Sequence, residues 1–254
     1  MSTHFPNGVT NVTKESTFGD LKEMVPNKYT TFWADFVTPA DLGAPAFNGG
    51  PAGAVSCNMW DITVVDSGGD NASVISCTDG AGGFLTITTD NAENDGVGLQ
   101  SKVEPFNIDE SKETFFETRL KVGDATQTDW LCGLAIKDTT PFAGLSDSIT
   151  FKCDDESTAI RLVSETNMSG SIVSASVTAV ASMTDDTFVK LGYHFDGFSN
   201  IKVYTDDVHV ATLSVVSGTN LVTDEDMSPI VAVLTGEAAA NTITVDYISA
   251  MQEK

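Results

Sequence analysis

Residues 188–213, FVKLGYHFDGFSNIKVYTDDVHVATL, constrain the fold of this chain more than any other stretch. Val189, Leu191, Tyr193 and Phe195 alternate with Lys190, Gly192 and His194, the period of two that marks a strand with one buried face. Asp196-Gly197 supplies a residue that accepts positive φ. Ile201 and Val203 resume the alternation, and Asp206-Asp207 turns the chain again before Val208 and Val210. Three short strands on two tight turns form an antiparallel meander, and its apolar face needs a second sheet to cover it.

The remaining chain supplies that sheet. Strands are predicted over 59–65, 73–77, 84–89, 97–103, 114–122, 131–137, 148–153, 159–163, 172–180, 229–234 and 242–250. Turn clusters such as Ser67-Gly68-Gly69-Asp70-Asn71 separate them. Many short strands at this spacing, without a long helical pattern, specify an all-β, two-sheet antiparallel sandwich or jelly roll. A chain of 254 residues can build it as one domain. In 114–122, Phe116, Thr118, Leu120 and Val122 are expected inside; Glu117, Arg119 and Lys121 are expected on an exposed side. Residues 38–55, rich in Pro and Gly, are expected to form a loop with no regular element. Residues 1–28 lack strand alternation and read as an N-terminal extended arm, either a disordered leader or a segment that docks on a neighbour. The jelly-roll domain is then 29–254, beginning at YTTFWADF.

Charge narrows the partners. Thirteen basic residues against 36 acidic ones leave a net charge of −23. Such a surface repels phosphate backbones and anionic membranes, so neither nucleic acid nor membrane is an expected partner. The opening residues carry no basic-then-apolar secretion pattern, and synthesis in a cytoplasm is expected. Cys57, Cys77, Cys132 and Cys153 form no C-x-x-C pair and read as small buried hydrophobes.

Reactive groups are sparse. His4, His194 and His209 are scattered, and no nucleophile elbow, H-E-x-x-H or phosphate-binding loop is present. Acidic turns are the candidate metal sites: Asp90, Glu93, Asn94 and Asp95 offer oxygens suited to Ca²⁺, as do Asp66 with Asp70 and the 224–226 run. Turns also favour Asp and Asn for purely conformational reasons. Glycan recognition needs exposed aromatics or a polar cleft. Trp33, Trp60 and Trp130, each beside an Asp, are the candidates, although burial in the sandwich is the commoner fate of Trp.

Several segments together resemble one group of proteins: HFPNGVTNV, FWADF, MWDITVV, DGAGGFLTITT, FFETRLKV, the meander, and the closing ITVDYISAMQEK. They are similar to virion structural proteins of tailed bacteriophages, especially short-tailed phages of aquatic bacteria. From Tyr29 onward the chain looks like a concanavalin A-like (laminin G-like) jelly roll. The resemblance implies a non-enzymatic capsid decoration, or cement, protein on the virion's capsid surface. Its partners would be the major capsid protein and copies of itself, as a dimer or trimer. The arm would grip the capsid through Phe5, Pro6, Val9, Val12, Phe18, Leu21 and Met24. The other reading is a glycan-binding tail or fibre module that contacts the host surface. Retaining glucanases of this fold carry E-x-D-x-x-E on a strand, and Glu113 and Glu117 lack its remaining carboxylates. No enzymatic activity and no obligatory cofactor are therefore expected.

Overall fold

A computed structural model describes residues 28–36, 46–48, 53–56, 59–66, 73–78, 82–143, 145–168 and 170–254. The first half of the described chain gives β1 (Tyr29–Ala34), β2 (Ala46–Asn48), β3 (Gly53–Ser56), β4 (Trp60–Val65), β5 (Val74–Thr78), β6 (Phe84–Thr88), β7 (Gly96–Ser101), β8 (Phe106–Asn107) and β9 (Thr114–Val122). The second gives β10 (Thr128–Ala135), β11 (Ser148–Cys153), β12 (Ala159–Met168), β13 (Ser171–Ser182), β14 (Val189–Phe195), β15 (Asn200–Thr205), β16 (Val208–Ser214), β17 (Asp226–Thr235) and β18 (Thr242–Glu253). Among the described residues there is no helix.

These strands make two sheets. The first runs β16-β15-β14-β9-β18-β6-β5-β2, with β1 also paired to β18; the second runs β13-β12-β11-β10-β17-β7-β4-β3, with β8 on β17. All named pairings are antiparallel. The alternating apolar residues of both sheets meet between the layers in one cluster that includes Trp60, Leu85, Phe116, Leu120, Trp130, Phe151, Tyr193 and Ile243. Burying such side chains contributes about 25 cal/mol per Å² removed from water, which is what holds the layers together.

The meander stands as read. Val189, Leu191, Tyr193 and Phe195 are buried, Gly197 adopts φ of 73°, and Asp206 and Asp207 adopt 48° and 68°. Asp196 fixes the first turn, because its Oδ1 accepts from the amides of Phe198 (2.9 Å), Ser199 (2.9 Å) and Asn200 (3.0 Å). Buried Cys132 and Cys153 behave as the expected hydrophobes, and burial pushes their thiols up to about 12 and about 11.

Two expectations need correction. Residues 38–55 are not without regular structure: β2 pairs with β5 and β3 forms a hairpin with β4, so backbone pairing overrides local Gly and Pro content. The outward side of β9 is not simply exposed either. Glu117 is only 5% exposed, because side chains from β14 and β18 close over it.

Candidate functional site

The outward face of the first sheet gathers the chain's least ordinary polar chemistry. Its centre is Glu117 on β9. Register places Gly192 of β14 opposite it, with Lys190 one outward position along. On the other flank, β18 slips register against β9 between Val245 and Tyr247, leaving Asp246 as an extra residue. A bulge of this kind brings two consecutive side chains to one side of the sheet. Asp246 thereby pairs with Arg119 at 2.6 Å, while the Tyr247 hydroxyl donates to Glu117 Oε1 at 2.7 Å.

Lys190 joins a second carboxylate to the cluster. Its Nζ lies 2.6 Å from Asp207 and 3.4 Å from Glu117. Burial pushes the Glu117 carboxyl above its ordinary range; the Tyr247 hydrogen bond and the Lys190 charge oppose this without cancelling it. Its Oε2 is buried and has no hydrogen-bond partner. A buried carboxyl oxygen left without a partner is uncommon and singles this cluster out.

Beside this cluster stands Trp33. β1 runs antiparallel to β18 with Trp33 opposite Ser249, and strand alternation turns Phe32 and Ala34 into the core. Trp33 is 57% exposed and stacks parallel on Tyr247, with ring centroids 5.3 Å apart and 7° between planes. Trp60 and Trp130 are fully buried in the core. Of the three candidate tryptophans, only Trp33 offers a ring to solvent. Further along the face, His194 stacks on Phe115 at 4.3 Å, and Arg119 sits 4.2 Å above the Phe188 ring.

The outward face of the second sheet carries a groove of about 410 Å³. Val65, Leu234, Pro141 and Phe142 give it apolar walls, and Asn94, Asp129 and Thr140 are its polar residues. Asp129 accepts from the Asp155 amide at 2.6 Å, and burial raises its carboxyl. Leu145 and Phe142 from the β10–β11 connection pack over Leu131, Ile230 and Ala232, so much of this face is filled by the chain itself.

The expected metal ligands do not come together. Asp90 and Asp95 are buried while Glu93 points outward, and among the described residues no three His, Cys, Asp or Glu side chains form a metal-holding group. Asp90 serves the turn, with its Oδ1 accepting from the Asn91 amide at 2.7 Å. Of the other proposed acids, Asp70 lies outside the described residues. The arm residues Phe5, Pro6, Val9, Val12, Phe18, Leu21 and Met24 also lie outside them. The Glu117 cluster was missed in the sequence because Tyr247 stands 130 positions away. Only the outward period of β9 hinted at it.

No protein-family model and no curated protein matches this sequence. Solved structures do match its fold. A glycoside hydrolase family 16 endo-glucanase from Bacteroides ovatus aligns with a TM-score of 0.58 and 11% identity, over 86% of this chain and 99% of that one. An endo-1,3-β-glucanase from Streptomyces sioyaensis aligns with a TM-score of 0.56 and 14% identity, over 89% and 97%. The metal-free carbohydrate recognition domain of Emp46p aligns with a TM-score of 0.50 and 12% identity, over 76% and 87%. The chain is thus an all-β, two-sheet jelly roll of the concanavalin A-like kind. The expectation of no enzymatic activity is corrected: endo-glucanases are built on this same fold, so the fold gives no ground for excluding catalysis.

Proposed function

We propose that this chain recognises a carbohydrate, a β-glucan in the first instance, on the outward face of its first sheet. The observation that carries the proposal is the exposed Trp33 ring standing beside a buried carboxyl with an unsatisfied oxygen. A pyranose presents an apolar face of C–H groups and a rim of hydroxyls. The first suits the flat indole, and the more accessible carboxylates of the cluster, Asp207 and Asp246, can accept from the second and fix orientation. The carbohydrate-directed proteins that share the fold support the same reading. Nothing in the fold or the comparisons speaks for a particle or a capsid, and most of the arm on which that expectation rested lies outside the described residues.

Titration calorimetry with laminarin and with mixed-linkage β-glucan tests the proposal. Trp33→Ala removes an exposed ring and should leave the fold intact while weakening binding about tenfold or more. Phe142→Ala, in the groove of the second sheet, should bind as wild type does. Counting reducing ends in the same mixtures, with Glu117→Gln alongside, distinguishes recognition from cleavage. Absence of heat with either glucan, or Trp33→Ala binding unchanged, overturns the proposal.

A further inference from the structure

Residues 166–184 and 208–223, stretches of 19 and 16, contain no Asp, Glu, Lys or Arg in a chain that is 19% charged. At that composition they would carry about seven charges, and edge strands in particular normally bear charge as protection against pairing. The structure shows where this gap in the charge falls. The first stretch holds β13, the outermost strand of the second sheet; the second holds β16, the outermost strand of the first. The two edges lie on the same side of the sandwich, tied where Thr205 Oγ1 of β15 donates to the Val180 carbonyl at 3.0 Å.

Each edge carries a bulge, at 178–180 of β13 and at Val210 of β16, but neither strand bears charge or proline. β13 pairs only with β12 among the described residues and contains no proline. Its register irregularity lies opposite the step from Ile160 to Leu162, which leaves Ser171–Val177 regular. Ile172, Ser174, Ser176 and Thr178 stand exposed along it. On β16, Val208 is 61% and Val210 44% exposed. A long, regular, uncharged edge flanked by exposed valines is a pairing surface.

We infer that this side of the sandwich is a self-association surface, and that its occupant is a second copy of the chain joined through β13. Charge selects the occupant. Two molecules of net charge −23 repel wherever their acidic faces meet, and this side is where that repulsion is weakest. Symmetry agrees, since an antiparallel strand pairs with its own copy about a two-fold axis, giving a closed isologous dimer.

Sedimentation velocity on the full chain, over a range of concentrations and from low to high NaCl, tests this. A dimer is expected, and it should tighten with salt because screening relieves the repulsion between copies. The exposed substitutions Ile172→Lys and Ser174→Lys, placed together on β13, should weaken it at least tenfold with an unchanged circular dichroism spectrum. Val208→Glu with Val210→Glu on β16 is the second, independent pair. A monomer at every concentration, dissociation by salt, or either double variant associating as wild type does would each overturn the inference.

Discussion

Gly133 is the position where one added carbon is expected to do the most damage. It lies in the middle of β10, opposite Thr150 of β11 and Ile230 of β17. A Cβ there would come within 2.2 Å of the Ile149 carbonyl oxygen and 2.7 Å of Thr150 Cα. Both are backbone atoms of a strand whose other edge is bonded to β12, so no side chain can swing aside to make room. Relief requires β10 and β11 to part, which stretches their ladder and loosens the core beneath. Overpacking of this kind costs about 1–3 kcal/mol, and a clash with backbone on this scale belongs at the upper end. For a domain of this length each kcal/mol lowers Tm by about 2–4 °C, so Gly133→Ala should melt roughly 6–12 °C below wild type. Gly98 is the control. Its Cβ would lie 3.5 Å from Pro141 Cγ and 3.7 Å from Ala232 Cβ, ordinary contacts, and Gly98→Ala should stay within about 0.5 kcal/mol. Thermal melts followed by circular dichroism, with urea midpoints beside them, measure both. Equal melting of Gly133→Ala and wild type, or greater damage from Gly98→Ala, would refute the reasoning.

Two buried ionisable groups should give the stability its pH dependence. The folded pKa of Glu117 is raised by burial, so its contribution is lost as pH climbs from the unfolded value through the folded one. Glu117→Gln, which keeps an acceptor for Tyr247, should therefore be the more stable protein at pH 8. His194 works at the other end, since burial lowers its imidazole from 6.5 to about 4. The Glu113 carboxylate, 3.7 Å away, pulls against this, but it is 39% exposed and solvent screens it. The unfolded chain thus binds a proton first, stability falls as pH drops from about 6.5 to about 4, and His194→Gln should flatten that limb. Urea midpoints from pH 3 to pH 9 check both signs, and a Glu117→Gln protein weaker than wild type at pH 8 would contradict the first.

Much of the sandwich was legible because its strands obey their own period. β9 and β11 begin and end where alternation places them, and the inward set Phe116, Thr118, Leu120 and Val122 is buried as expected. β2 and β3 were not legible, since their hydrogen bonds go to partners that local propensity does not register. β12 and β13 run longer than predicted, extending past Val163 to Met168 and starting at Ser171, because each supports the other as a hairpin where apolar alternation fades. The site was the least visible part. That one tryptophan of three faces solvent depends on the register of β1 against β18, and the raised carboxyl of Glu117 depends on a bulge more than a hundred residues further on.

That bulged strand has a bearing on how the molecule comes into being. β18 is the last strand described, yet it lies inside its sheet, with β9 on one flank and β6 and then β1 on the other. Until residues 242–253 have been synthesised, the half-sheets on either side of it display open edges and bare apolar faces with nothing to join them. Assembly is therefore governed by closures spanning most of the polypeptide, the kind that makes folding slow. The interval before that final strand docks is when a nascent molecule is most vulnerable to coalescing with its neighbours.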